Sequence, residues 1–167
     1  MPTALDAPAA ALDEDETEFV RKIREFGWHR TTVLADDEHA GFVYTTGFWV
    51  NLSAPEFILF SLKSEIAGAV LHDVYKDARD GRRLPLGVRL DDVFGNAPAY
   101  VFEVDRAHYP EHIGWSRWFY GNDGFPCHQL IWPDREGRFP WERGFDEVFR
   151  ADQPDLTASG WANELAR

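Results

Sequence analysis

Residues 41–62 read GFVYTTGFWVNLSAPEFILFSL, and how this stretch divides decides the fold. Phe42 to Val50 is rich in β-branched and aromatic residues, and Glu56 to Leu62 is almost continuously apolar. Two strands are predicted, the second buried on both faces and therefore central in its sheet. Gly47 interrupts a bulky run, which marks a bulge or a place where another group approaches closely. Glu56 enters an apolar strand as a carboxylate. It is either an edge acid facing water, the more usual arrangement, or a buried acid with a hydrogen-bonding partner.

Working outward, His29 to Ala35 is a further strand, joined to the first through the polar connection Asp36 to Gly41 as a hairpin. Ser64 is a good N-cap for a helix in which Ile66, Ala67, Val70, Leu71, Val74 and Tyr75 recur at helical spacing until Gly81. Upstream, five carboxylates in Asp13 to Glu18 precede Phe19, Val20, Ile23 and Phe26 on one helical face, with Gly27 as the stop. Downstream lie an irregular crossing at Arg82 to Asn96, a strand at Ala99 to Asp105 and a short helix between Pro110 and Gly121. A strand at Cys127 to Trp132, a turn at Pro133 to Gly137 and a last helix near Phe145 to Ala151 follow. The order predicts a single α+β domain over residues 13–156, with a mainly antiparallel sheet of about five strands and helices packed on it. Residues 1–12 and 157–167 are expected as tails, the first mobile because it is small and proline-bearing.

With 167 residues, 44% of them hydrophobic, the chain is expected to form one core. A net charge of −12 repels phosphate backbones and anionic lipid headgroups, so neither nucleic acid nor membrane is an expected partner. It allows a basic protein partner. One cysteine excludes an intramolecular disulfide, and with no signal-like start and no long apolar run the expected location is the cytoplasm.

Cys127 and His128 suggest a nucleophile and its base, but neighbours on a strand point to opposite faces, which separates the two side chains. His108 and His112 are four apart, yet Pro110 between them breaks the helical spacing a metal pair needs, and no metal is expected. Asp36-Asp37 and Asp91-Asp92 fall in loops, with no apolar surroundings to raise one carboxyl. Phosphate-binding glycine loops and the serine-hydrolase elbow are absent from the sequence, and no cofactor is expected.

GFVYTTGFW with APEFILFSL, then HYPEHIGWSRWFYG, then QLIWPDREGRFPW resembles the bacterial family known as domain of unknown function 4262, from about Asp15 to Asp155. The family's recurring elements fall on Tyr44, Thr45, Gly47, Pro55, Glu56, Tyr109, Pro110, Tyr120, Gln129, Trp132, Pro133, Asp134, Pro140 and Trp141, while Cys127 and His128 stand where it often has plain apolar residues. The resemblance implies no reaction. A shorter similarity, of the YTxG and PE pattern alone, is to suppressor-of-fused-like domains found among toxin-immunity proteins.

Two functional readings follow. In the first, an acidic immunity-like or regulatory domain binds a protein partner through exposed aromatics and carboxylates. In the second, the chain is a small-molecule enzyme or ligand-binding domain, with an aromatic-walled pocket between the Tyr44 to Gly47 strand and the Gln129 to Asp134 segment where Tyr44, Thr45, Glu56, Tyr109, Gln129 and Asp134 converge. Tyr120, Trp132 and Trp141 complete the candidate binding residues of either.

Overall fold

The computed structural model describes residues 2–166. Helix α1, Glu14–Phe26, starts at a reciprocal cap in which Asp13 Oδ1 accepts from the Glu16 N–H at 2.8 Å and Glu16 Oε1 from the Asp13 N–H at 2.9 Å. It stops at Gly27, whose φ of 87° reverses the chain. Phe19, Val20 and Ile23 are buried as expected, but Phe26 is 60% exposed.

Strands β1, His29–Val33, and β2, Phe42–Thr46, pair antiparallel, with Thr31 opposite Tyr44. The strand expected to run to Val50 ends at Thr46, because Gly47 at φ 119° turns the chain into a short helix α2, Phe48–Leu52. Close approach is the reason for glycine here: a Cβ would stand 2.6 Å from the Gly27 carbonyl oxygen and 2.7 Å from Trp28 Cα.

Strand β3, Glu56–Phe60, is buried throughout and central, antiparallel to β2 and parallel to β5, Cys127–Ile131. Helix α3, Ser64–Arg79, follows β3. Lys63 rather than Ser64 holds its cap position, without a side-chain bond, and the Ser64 carbonyl instead accepts from Arg30 Nη1 at 3.0 Å. Strand β4, Tyr100–Glu103, pairs with β5 to give the sheet order β1-β2-β3-β5-β4, antiparallel except at β3/β5. The architecture is the α+β arrangement read from the element order.

Strand alternation sends the sheet's side chains into two layers. On one face α3 packs Ala67, Val70, Leu71 and Val74 onto Val43, Phe57, Leu59 and Leu130. On the other, α1 with α4, Tyr109–His112, and α5, Gly114–Tyr120, covers Tyr44, Ile58, Phe60 and Cys127. Each buried Phe or Leu contributes roughly 1.5–3 kcal/mol, so both layers are needed.

The last expected helix is a 3-10 turn at Glu147–Asp152, since Val148 is 73% exposed and the segment offers no buried stripe to hold a longer helix. Neither terminal segment stands clear of the body. Ala4 and Leu5 pack against the α1 layer, and α6, Trp161–Glu164, buries Trp161 against Trp141. No described helix is long and apolar enough to cross a membrane.

Candidate functional site

Glu56 is 1% exposed, so it is the buried acid and not the edge acid. The turn at Gly47 aims three successive N–H groups at it: Gly47 and Trp49 donate to Oε2 at 3.0 and 3.1 Å, and Phe48 to Oε1 at 3.2 Å. Thr45 Oγ1 donates to Oε1 at 2.7 Å, and the Tyr120 hydroxyl donates to Oε2. Five donors use the acceptor capacity of one carboxylate, about four lone-pair sites, leaving none for a ligand. Burial pushes the Glu56 carboxyl up, to about 7, against the pull of these donors. Burial and the neighbouring Glu56 push the Tyr120 phenol far up, so it stays protonated and donates.

Helix α5 is tied to β2 in the same seam. The Tyr44 hydroxyl accepts from the Trp115 N–H at 3.0 Å, and Ser116 Oγ lies 2.6 Å from Thr46 Oγ1 and donates to the Thr45 carbonyl at 3.1 Å. Tyr44, Thr45, Glu56 and Tyr120 are therefore neighbours, and Tyr109 joins them through Phe125, donating to its carbonyl at 2.8 Å.

The other four are held elsewhere. Gln129 Nε2 donates to the Pro154 carbonyl at 3.0 Å, while its buried Oε1 lacks a described partner. Trp132 Nε1 donates to the Phe60 carbonyl at 2.8 Å. Asp134 accepts from the N–H groups of Glu136, Arg138 and Asp146 at 2.9, 2.9 and 2.8 Å; against the effect of partial burial these hold its carboxyl low and fix the loop after β5. Trp141 stacks on Phe139 and meets Tyr100 and Phe102 edge-on. These residues bond inward and do not line a shared cleft.

Cys127 and His128 are separated as strand alternation requires. Cys127 is fully buried in the α1 layer, its thiol pushed well up by burial, and His128 lies edge-on to Phe57. An activated thiolate needs the opposite environment. His112 Nδ1 lies 2.9 Å from the His108 carbonyl oxygen, and among the described residues no three His, Cys, Asp or Glu side chains gather within metal-binding reach.

The surface offers a different site. An open groove of about 1500 Å³ runs between β1 with its hairpin turn and α4 with α5. Its walls include Phe42, Tyr44, Phe60, Trp115 and Trp118, and Trp115 stacks on Phe19 at 4.7 Å. Five carboxylates, Glu16, Asp36, Glu38, Glu111 and Asp155, and three histidines, His39, His108 and His112, share the lining with no lysine or arginine. Glu38 and Glu111 are exposed and have no side-chain hydrogen-bond partner among the described residues. Tyr44 alone of the nine expected binding residues lines this groove.

Sequence reasoning passes over the groove because its residues come from five separate segments that only the fold brings together. A signal does exist: no lysine or arginine occurs between Arg30 and Lys63, between Arg106 and Arg117, or between Arg150 and Arg167. Those three cation-free stretches supply every wall except Glu16 and Trp118.

Comparison with known proteins adds one relation. No curated protein and no solved structure matches the chain. A family model, described as Domain of unknown function (DUF4262), matches residues 22–146, which hold all five strands and the Glu56 seam. On that match over most of its length, the chain belongs to the DUF4262 family.

Proposed function

We propose that this is a cytoplasmic, immunity-like or regulatory domain that binds a basic protein partner in the acid-rimmed aromatic groove. The observation that carries the reading is the groove's lining, five carboxylates over aromatic walls without a single lysine or arginine, in a chain that has 17 of them. Exposed carboxylates attract a cationic segment over roughly a Debye length, about 8 Å at physiological salt, and speed its encounter. Affinity then comes from the rings: a desolvated guanidinium or ammonium over an indole face contributes up to about 2 kcal/mol, and apolar side chains of the partner fill the rest. The same rim disfavours nucleic acid and anionic lipid. Support for binding over catalysis comes from the candidate polar residues, of which Glu56, Tyr109 and Asp134 are bonded to the protein itself.

The test is titration with a short peptide of alternating arginine and leucine, comparing Glu38→Lys/Glu111→Lys with Glu103→Lys/Glu136→Lys. The second pair changes net charge equally at β4 and the loop after β5, on exposed residues away from the groove. Saturable binding that weakens at least about tenfold in the first variant alone supports the reading. Equal weakening in both reduces it to general attraction by net charge.

A further inference from the structure

On the face of the sheet covered by α3, a second groove of about 820 Å³ opens between the start of β1 and that helix. Here the sign of charge reverses: Arg30, Lys76 and Arg79 line it with His72, against one carboxylate, Glu65. In a chain of net charge −12 this is a local concentration of cations. None of the three is in an ion pair among the described residues, whereas Arg21, Arg82, Arg89, Arg117 and Arg150 each hold a carboxylate. Their positive charge is left free to meet a ligand.

Arg30 is positioned rather than loose. Its Nη1 donates to the Ser64 carbonyl at 3.0 Å, and its guanidinium lies across Gly68, where a Cβ would stand 2.0 Å from Nη1. Glycine weakens a helix interior, so Gly68 runs against the helix propensity of α3, and what its missing side chain admits is this arginine. Beside it the rings of Trp28 and Tyr75 stack at 5.7 Å and 24°, with the Arg79 guanidinium 6.0 Å from the Tyr75 ring centre.

A fixed guanidinium with two exposed cations offers charge-assisted hydrogen bonds to a phosphate or carboxylate, and the adjoining rings offer a flat apolar surface. The volume falls in the roughly 300–1000 Å³ range of small-molecule sites. We propose that this groove is a second binding site, specific for a small anion that carries a flat apolar group, and separate from the acid-rimmed groove on the other face of the sheet.

The experiment is a titration of the full chain followed by tryptophan fluorescence and by ligand-observed NMR. Phenyl phosphate is the probe, with inorganic phosphate and benzyl alcohol as its two halves. Phenyl phosphate is expected to bind at least about tenfold more tightly than either half, since charge and ring must both be engaged. Lys76→Glu/Arg79→Glu, both exposed, is expected to weaken it at least about fivefold, while Arg135→Glu/Arg143→Glu, which changes net charge equally in the loop after β5, leaves it unchanged. Benzyl alcohol binding as tightly as phenyl phosphate, equal losses in both double variants, or no saturable binding at all would each overturn the proposal.

Discussion

The two grooves beside β1 are built from the same kinds of ring and differ in the charge around them. On the α4/α5 side the walls are Trp115, Trp118, Phe42 and Tyr44 under five carboxylates; on the α3 side they are Trp28 and Tyr75 under Arg30, Lys76 and Arg79. Strand alternation creates this division, because Thr31 faces one layer and Arg30 the other. The contrast teaches that a net charge of −12 describes the surface poorly. What a ligand meets is the local field within a Debye length, and here one edge strand separates two fields of opposite sign.

The largest effect is expected from breaking the Glu56 seam, which lies beside the α5–β2 ties on one face and holds the Gly47 turn against Trp28 on the other. Glu56→Gln puts an amide among five donors and leaves at least one buried donor unpartnered, a loss of about 1–3 kcal/mol by urea unfolding. Because the seam ties α5 to β2 and its Gly47 turn rests on Trp28, Trp115, Trp118 and Trp28 should all lose their fixed environment at lower urea than in the unaltered chain, which single-tryptophan variants would resolve. Next come the charge reversals, which should act crosswise. Glu38→Lys/Glu111→Lys weakens peptide binding at least about tenfold, about 1.4 kcal/mol, and spares phenyl phosphate, whereas Lys76→Glu/Arg79→Glu weakens phenyl phosphate binding at least about fivefold, about 1 kcal/mol, and spares the peptide.

Acidity sharpens the comparison further. Glu56 sits near 7 in the folded chain, above its ordinary 4.5, so the native state holds a proton that the unfolded chain releases, and stability falls as pH rises from 4.5 to 7. His128, lowered by burial from 6.5 to about 4, has the opposite slope: the unfolded chain gains a proton that the native state refuses, and stability falls as pH drops through that window. His29, at the start of β1, is lowered in the same way by burial and by Lys22 and Arg30. His128→Phe should therefore flatten the acid side of the stability profile by about 1–3 kcal/mol between pH 6.5 and 4 and leave both binding activities intact. Gly68→Ala is the mildest change. Better helix propensity, worth up to about 1 kcal/mol, is offset by the displaced Arg30, so thermal stability shifts little while phenyl phosphate binding weakens a few-fold.

Much of the fold was legible in the residues. Continuous apolar character marked Glu56 to Leu62 as the central strand, of which Glu56–Phe60 forms β3, and the spacing of Ala67, Val70, Leu71 and Val74 marked α3, because burial on two faces and burial on one leave different periods. The path of the chain after Thr46 was not legible. Gly47 announced a close approach, but its consequence, a helical turn folded over Glu56, depends on Gly27 and Trp28 lying against it, and periodicity holds no information about that. Conversely, the reading that Cys127 and His128 are separated needed only the strand, and the burial of one in each layer follows from it. The grooves were the least visible. Each is assembled from side chains that are ordinary in sequence, and only the missing lysines and arginines of the hairpin, of α4 and of the last segment hinted at one of them.

The most direct measurement is a backbone and indole NMR titration of the full chain with the arginine-leucine peptide at physiological salt. Saturable shifts concentrated at Leu34 to Gly41, at Glu111 to Trp118 with both indole N–H signals, and at Asp155 are expected for a basic partner held in the acid-rimmed groove. Shifts centred instead on α3, spread evenly over exposed carboxylates such as Glu103 and Glu136, or absent at saturating peptide would contradict it.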